Sequence, residues 1–97
     1  MAFKFKVEPS AFIDIQNEID HYNTQQKGLG RKFWLEVNHY FKAIRKNPFY
    51  QIRYDEIRCL PLKKFPSMIH FSVDEKNKMI IVRAVINTNK DPQSSWL

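Results

Sequence analysis

Ser67-Met-Ile-His-Phe-Ser-Val-Asp-Glu-Lys-Asn-Lys-Met-Ile-Ile-Val-Arg-Ala-Val-Ile86 is the stretch that decides the fold of this chain. Its first eight residues alternate: Ile69, Phe71 and Val73 share one face, and Met68, His70 and Ser72 share the other, which is the period of a strand. Glu75-Lys-Asn-Lys78 is a polar reversal of hairpin length. Met79 to Ile86 is nearly all apolar, as expected of a central strand covered on both faces. Arg83 alone interrupts that run. A charge inside an apolar strand is costly unless it is paired or faces a functional surface, so this sheet is the place to look for function.

Upstream of the hairpin, residues 50–54 and 57–63 return to period two and read as one strand or two, parted by Asp55-Glu56. Before them, Leu29, Phe33, Val37, Tyr40 and Ile44 recur at helical spacing, with Trp34 and Phe41 widening the stripe. Lys42, Arg45 and Lys46 lie toward the C-terminal end of that helix, where the dipole favours positive charge, and Asn47-Pro48 stops it. Lys27-Gly-Leu-Gly30 carries both glycines of the chain and marks a tight turn between helices. An earlier helix runs from Pro9, suited to the first helical position, through Ala11, Ile15, Ile19 and Tyr22 to about Gln25, with Ser10 and Asp14 favourable near its start. At the N-terminus, Phe3, Phe5 and Val7 alternate with Lys4, Lys6 and Glu8, a half-buried strand. The tail from Asn87 is polar and is expected to loop back, with Trp96 as an anchor. The expected order is therefore β-α-α-β-β-β. This is an α+β domain in which a helical hairpin packs on one face of a mostly antiparallel four-stranded sheet.

Ninety-seven residues allow one domain, 1–97, with a single core. No apolar run is long enough to span a membrane, and the start lacks the pattern of a signal peptide, so a cytoplasmic location is expected. The lone Cys59 excludes an internal disulfide and fits a reducing compartment. The net charge of +6 is uneven. Residues 1–26 carry two lysines against four acids, whereas residues 27–64 carry ten basic residues against three acids. That middle segment suits nucleic acid or an acidic protein partner.

Motifs for catalysis are scarce. His21, His39 and His70 lack metal-ligand spacing, so no metal or other cofactor is expected. Gly28 and Gly30 precede no Lys-Ser/Thr of a phosphate loop. Cys59 reads as a buried structural thiol. What remains is a basic set, Arg53, Arg58, Lys63, Lys64 and Arg83, with Lys90 in the tail. Such residues either contact phosphates or bind carboxylates, those of a partner or internal ones such as Asp55 and Asp74.

Taken together, these elements resemble the RelE/ParE toxins of bacterial type II toxin–antitoxin systems, nearest the ParE-like branch. The resemblance rests on Ala11 with Asp14-Ile15, Gly28-Leu29-Gly30 with Phe33 and Val37, Ile44 with Asn47-Pro48, and Ile57-Arg58. It continues through Lys64-Phe65-Pro66 with Ile69 and Phe71, then Val85, Asp91-Pro92 and Trp96. It spans nearly the whole chain. It implies a growth-inhibiting toxin neutralised by a cognate acidic antitoxin that folds on binding. RelE-like relatives cut messenger RNA on the ribosome without metal. ParE-like relatives instead poison DNA gyrase. Here Met68 stands where the nuclease branch has an arginine, and Asn87-Thr88-Asn89 where it places His or Tyr beside Arg. The resemblance therefore implies binding to gyrase, with Arg53, Arg58, Lys63, Lys64, Arg83 and Lys90 facing target or partner. The alternative is a ribosome-dependent endonuclease with Arg58, Lys64, His70 and Arg83 as its active set. A further alternative is a degenerate, non-toxic antitoxin-binding protein.

Overall fold

The structure, a computed structural model, describes residues 3–88; Lys90 and Trp96 lie outside them. Seven elements follow in the order β1 (Lys4–Val7), α1 (Pro9–Gln25), α2 (Leu29–Lys46), β2 (Ile52–Tyr54), β3 (Ile57–Pro61), β4 (Ser67–Asp74) and β5 (Met79–Asn87). The sheet order is β1-β5-β4-β3-β2, with β1 parallel to β5 and every other pair antiparallel. The α+β hairpin-on-sheet architecture is as expected. The sheet has five strands rather than four, because Asp55, at φ 48°, turns the chain sharply enough to make β2 a separate edge strand.

Periodicity accounts for the core. Phe33, Val37, Phe41 and Ile44 on α2 meet Ala11, Ile15 and Tyr22 on α1, and both rows lie over Leu62, Ile69, Phe71, Ile80, Val82 and Val85. Each large side chain so buried contributes roughly 1.5–3 kcal/mol. Ile19, expected in this row, is only half-buried. Its place at the sheet is taken by Glu18, whose carboxylate accepts from Asn87 Nδ2 at 3.0 Å.

The helical hairpin is held close by its glycines. Gly28 sits at φ 86°, a left-handed turn position. Gly30 presses against α1: its N–H donates to Asn23 Oδ1 at 2.9 Å, and a Cβ there would lie 2.6 Å from the Ile19 carbonyl oxygen.

The β4–β5 register shifts between His70 and Phe71, so Arg83 is an extra residue on β5. Such a bulge takes backbone groups out of the ladder, and α1 reaches them. Ser10 Oγ donates to the Arg83 carbonyl at 3.2 Å, and the Val85 N–H donates to Asp14 Oδ2 at 3.1 Å. Ser10 and Asp14 thus tie the helix to the sheet rather than favouring its start, since Glu8 is the N-cap, no side chain caps it and the first turn holds no acid. Beyond the bulge the alternation is reset, which turns Val85 and Asn87 toward the helices. On the opposite face Ile81, Ala84 and Ile86 are only half-buried, so β5 is not covered on both sides as expected.

Candidate functional site

The basic residues singled out from the chain occupy three separate places. On the face away from the helices, at the β5 bulge, Arg83 is about 42% exposed. Its Nη1 lies 3.2 Å from Glu8 Oε2, and its Nε donates to Ser72 Oγ at 3.1 Å. Arg83 follows Ile81 onto the outward face, and the bulge after it returns Val85 and Asn87 to the helix side. Its acidic partner is Glu8, not Asp74 or Asp55. Asp74 instead closes the β4–β5 turn by accepting from Asn77 N at 3.1 Å and Asn77 Nδ2 at 2.8 Å, and these bonds hold its carboxyl below the usual range.

The same face carries His70, fully buried, opposite Cys59 on β3. The Tyr54 hydroxyl lies 3.0 Å from His70 Nδ1 and the Cys59 thiol 3.4 Å from it. Burial raises the titration points of both neighbours, so each keeps its proton, and two donors converging on Nδ1 favour the tautomer with the ring proton on Nε2. Burial, aided by the nearby charge of Arg53, lowers the His70 pKa to about 4. The ring is therefore neutral at physiological pH. Sequence reasoning did not anticipate Tyr54 here, because the register shift between Ile52 and Tyr54 breaks the alternation that would have placed it.

Arg58 faces the helix side with Leu60 and Leu62, as its alternation implies. Its Nη1 donates to the Tyr50 carbonyl at 2.6 Å, and its guanidinium lies 5.4 Å from the centre of the Phe49 ring. Arg53 is exposed on the edge strand.

Lys63 and Lys64 belong to neither face. They rim a groove of about 670 Å³ between α2 and the β3–β4 loop, with Lys32, Leu35, Tyr40 and Phe65 among its lining. The Lys64 N–H donates to Glu36 Oε2 at 2.7 Å, which commits the groove's single carboxylate. Leu35 is 50% exposed there. An apolar floor with cationic rims suits an acidic segment that carries apolar side chains. Among the described residues no group of three or more His, Cys, Asp or Glu is placed to hold a metal ion, and no helix is long and apolar enough to cross a membrane.

Among solved structures the chain is similar to the chromosomal ParDE TA system from P. aeruginosa, with a TM-score of 0.76, 19% identity, and coverage of 88% of this chain and 95% of that one. It is also similar to the toxin–antitoxin complex RelBE2 from Mycobacterium tuberculosis, with a TM-score of 0.61 and 11% identity over 90% of this chain and 92% of that one. A mutant of E. coli toxin RelE in the free state matches with a TM-score of 0.60 and 8% identity, covering 95% of this chain and 90% of that one. No protein-family model and no curated protein matches. The expected fold, that of the RelE and ParE toxins, is thus the observed one.

Proposed function

We propose that this chain is the toxin of a type II toxin–antitoxin pair, of the ParE-like branch. On this reading it arrests growth by binding DNA gyrase in the cytoplasm, and a cognate acidic antitoxin neutralises it. The shared fold with ParDE and RelBE2 structures supports the toxin reading and the antitoxin partner. The cationic groove beside Lys63 and Lys64 supports an acidic partner.

The observation that carries the choice of binding over catalysis is His70. Cleaving RNA without metal requires a group that exchanges protons near neutral pH and reaches the substrate. His70 is the one sheet histidine, yet it is buried, bonded to Tyr54 and neutral down to a pKa of about 4. Arg58, Lys64 and Arg83, its companions in the nuclease alternative, lie at three different places in the fold.

Pulse-labelling after induced expression in bacteria tests the reading. DNA synthesis should fail first, with a DNA-damage response. Early failure of protein synthesis with cut messages would overturn it in favour of a ribosome-dependent endonuclease. Unimpaired growth with tight antitoxin binding would overturn it in favour of a degenerate toxin.

A further inference from the structure

Among the described residues three cations lie over aromatic rings, and all three pairs cluster at one end of the helix-facing side. Lys78 Nζ is 5.8 Å from the centre of the Phe3 ring, the Phe3 and Phe49 rings meet edge-on at 5.9 Å, and the Arg58 guanidinium lies 5.4 Å from Phe49. This is one continuous ladder of cation, ring, ring and cation. Phe5, two residues along β1 and so on the same face as Phe3, carries Arg45 at 5.3 Å.

Two features set the ladder apart from ordinary packing. Phe49 is 52% exposed, so a large ring stands in solvent with a guanidinium beside it. Among the described residues the one ion pair is Arg83–Glu8, so Arg45, Arg58 and Lys78 have no described carboxylate within ion-pair distance. The nearby acids, Asp55, Glu56, Asp74 and Glu75, line a separate hollow with Ser72 and Arg83.

We propose that this ladder binds single-stranded nucleic acid. A strand of nucleotides offers phosphates to the cations and flat bases to the exposed Phe49 ring, so it uses both halves of the arrangement. A purely acidic peptide such as polyglutamate would use the charges and leave the exposed ring unmatched. Duplex DNA would hide its base faces. His70 is buried on the other face of the sheet, and among the described residues of the ladder there is no acid–base group, so the surface retains a strand without cutting it. The inference does not depend on which cellular target the protein has.

Fluorescence anisotropy of the full chain with labelled 20-nucleotide oligo(dT) and oligo(rU) tests it, with a duplex of equal length and polyglutamate as comparisons. Either single strand should bind more tightly than the duplex, and affinity should fall linearly on a log–log plot against salt. Phe49→Ala should weaken binding about tenfold, as expected for loss of one stacked base. Arg45→Gln with Lys78→Gln should weaken it and flatten the salt slope. These two positions are exposed, so the double variant keeps the test alive should Phe49→Ala unfold. Lys63→Gln with Lys64→Gln, in the groove beside α2, should leave binding unchanged. A duplex bound as well as a single strand would overturn the proposal. So would polyglutamate binding with equal affinity, or losses that follow Lys63 and Lys64 rather than the ladder.

Discussion

Acidification should destabilise this protein through one residue. The folded state lowers the His70 pKa from 6.5 to about 4, chiefly by burial and secondarily through the charge of Arg53. Between those values the unfolded chain binds a proton that the folded chain refuses, so stability falls as pH drops below 6.5 and levels off below 4. The full shift corresponds to roughly 3 kcal/mol. Arg53 is exposed, so its share is screened by water, and about 2 kcal/mol of loss between pH 7 and pH 4.5 is the fairer expectation. That is a large part of the total for a domain of this size. Urea unfolding followed by tryptophan fluorescence, in steps across that range, measures it. His70→Gln removes the titrating group while keeping an acceptor for the Tyr54 hydroxyl, and its stability should change much less over the same interval. An NMR titration of the ring supplies the second readout. A His70 resonance titrating near 6.5, or parallel pH profiles for the wild type and His70→Gln, would refute the argument.

Gly30→Ala should destabilise by about 1–3 kcal/mol in the same urea assay, because the new methyl would meet the Ile19 carbonyl oxygen, which cannot rotate away. Gly28→Ala meets no neighbour and should cost only about 1 kcal/mol for holding alanine at φ 86°, with Gly28→Asn costing less. Asp14 has the opposite linkage to His70: burial raises its pKa, so its ionisation opposes folding and the stability its neutral form provides is lost as pH rises through the folded pKa. Asp14→Asn keeps an oxygen for the Val85 N–H and should raise Tm at pH 7 relative to wild type, with the gain vanishing near pH 3; scanning calorimetry at both pH values checks this.

The fold was legible because its periodicities do not compete. Phe33, Val37 and Ile44 can face one side only as a helix, and Ile69, Phe71 and Val73 only as a strand. Asn47-Pro48 separates the two regimes. What escaped was where strands break their own pattern. Residues 50–63 carry one alternation on either side of Asp55, and nothing in their composition distinguishes a bent strand from a tight hairpin. Arg83 was noticeable as a charge, but its bulge was not. A bulge depends on pairing with the partner strand, and β4 carries no local mark of it at His70. Glu18 was missed because a carboxylate on the buried face of a helix becomes tolerable only when a distant residue, here Asn87, reaches it.

The site was less legible for a related reason. Side chains of one charge in consecutive strands look like one patch when read along the chain, yet strand faces and edges distribute them. Arg58 goes with Leu60 and Leu62, Arg53 with the opposite face, and Lys63 and Lys64 with a loop against α2. This separation bears on mechanism. Electrostatic stabilisation of a transition state needs several donors converging within about 3 Å of one reacting atom, whereas binding to a large partner tolerates, and gains from, charges spread over its surface. Arg83 is held by Glu8 and Ser72, Arg58 by the Tyr50 carbonyl, and the Lys64 backbone by Glu36, each in its own place. A distribution of this kind favours contact over chemistry.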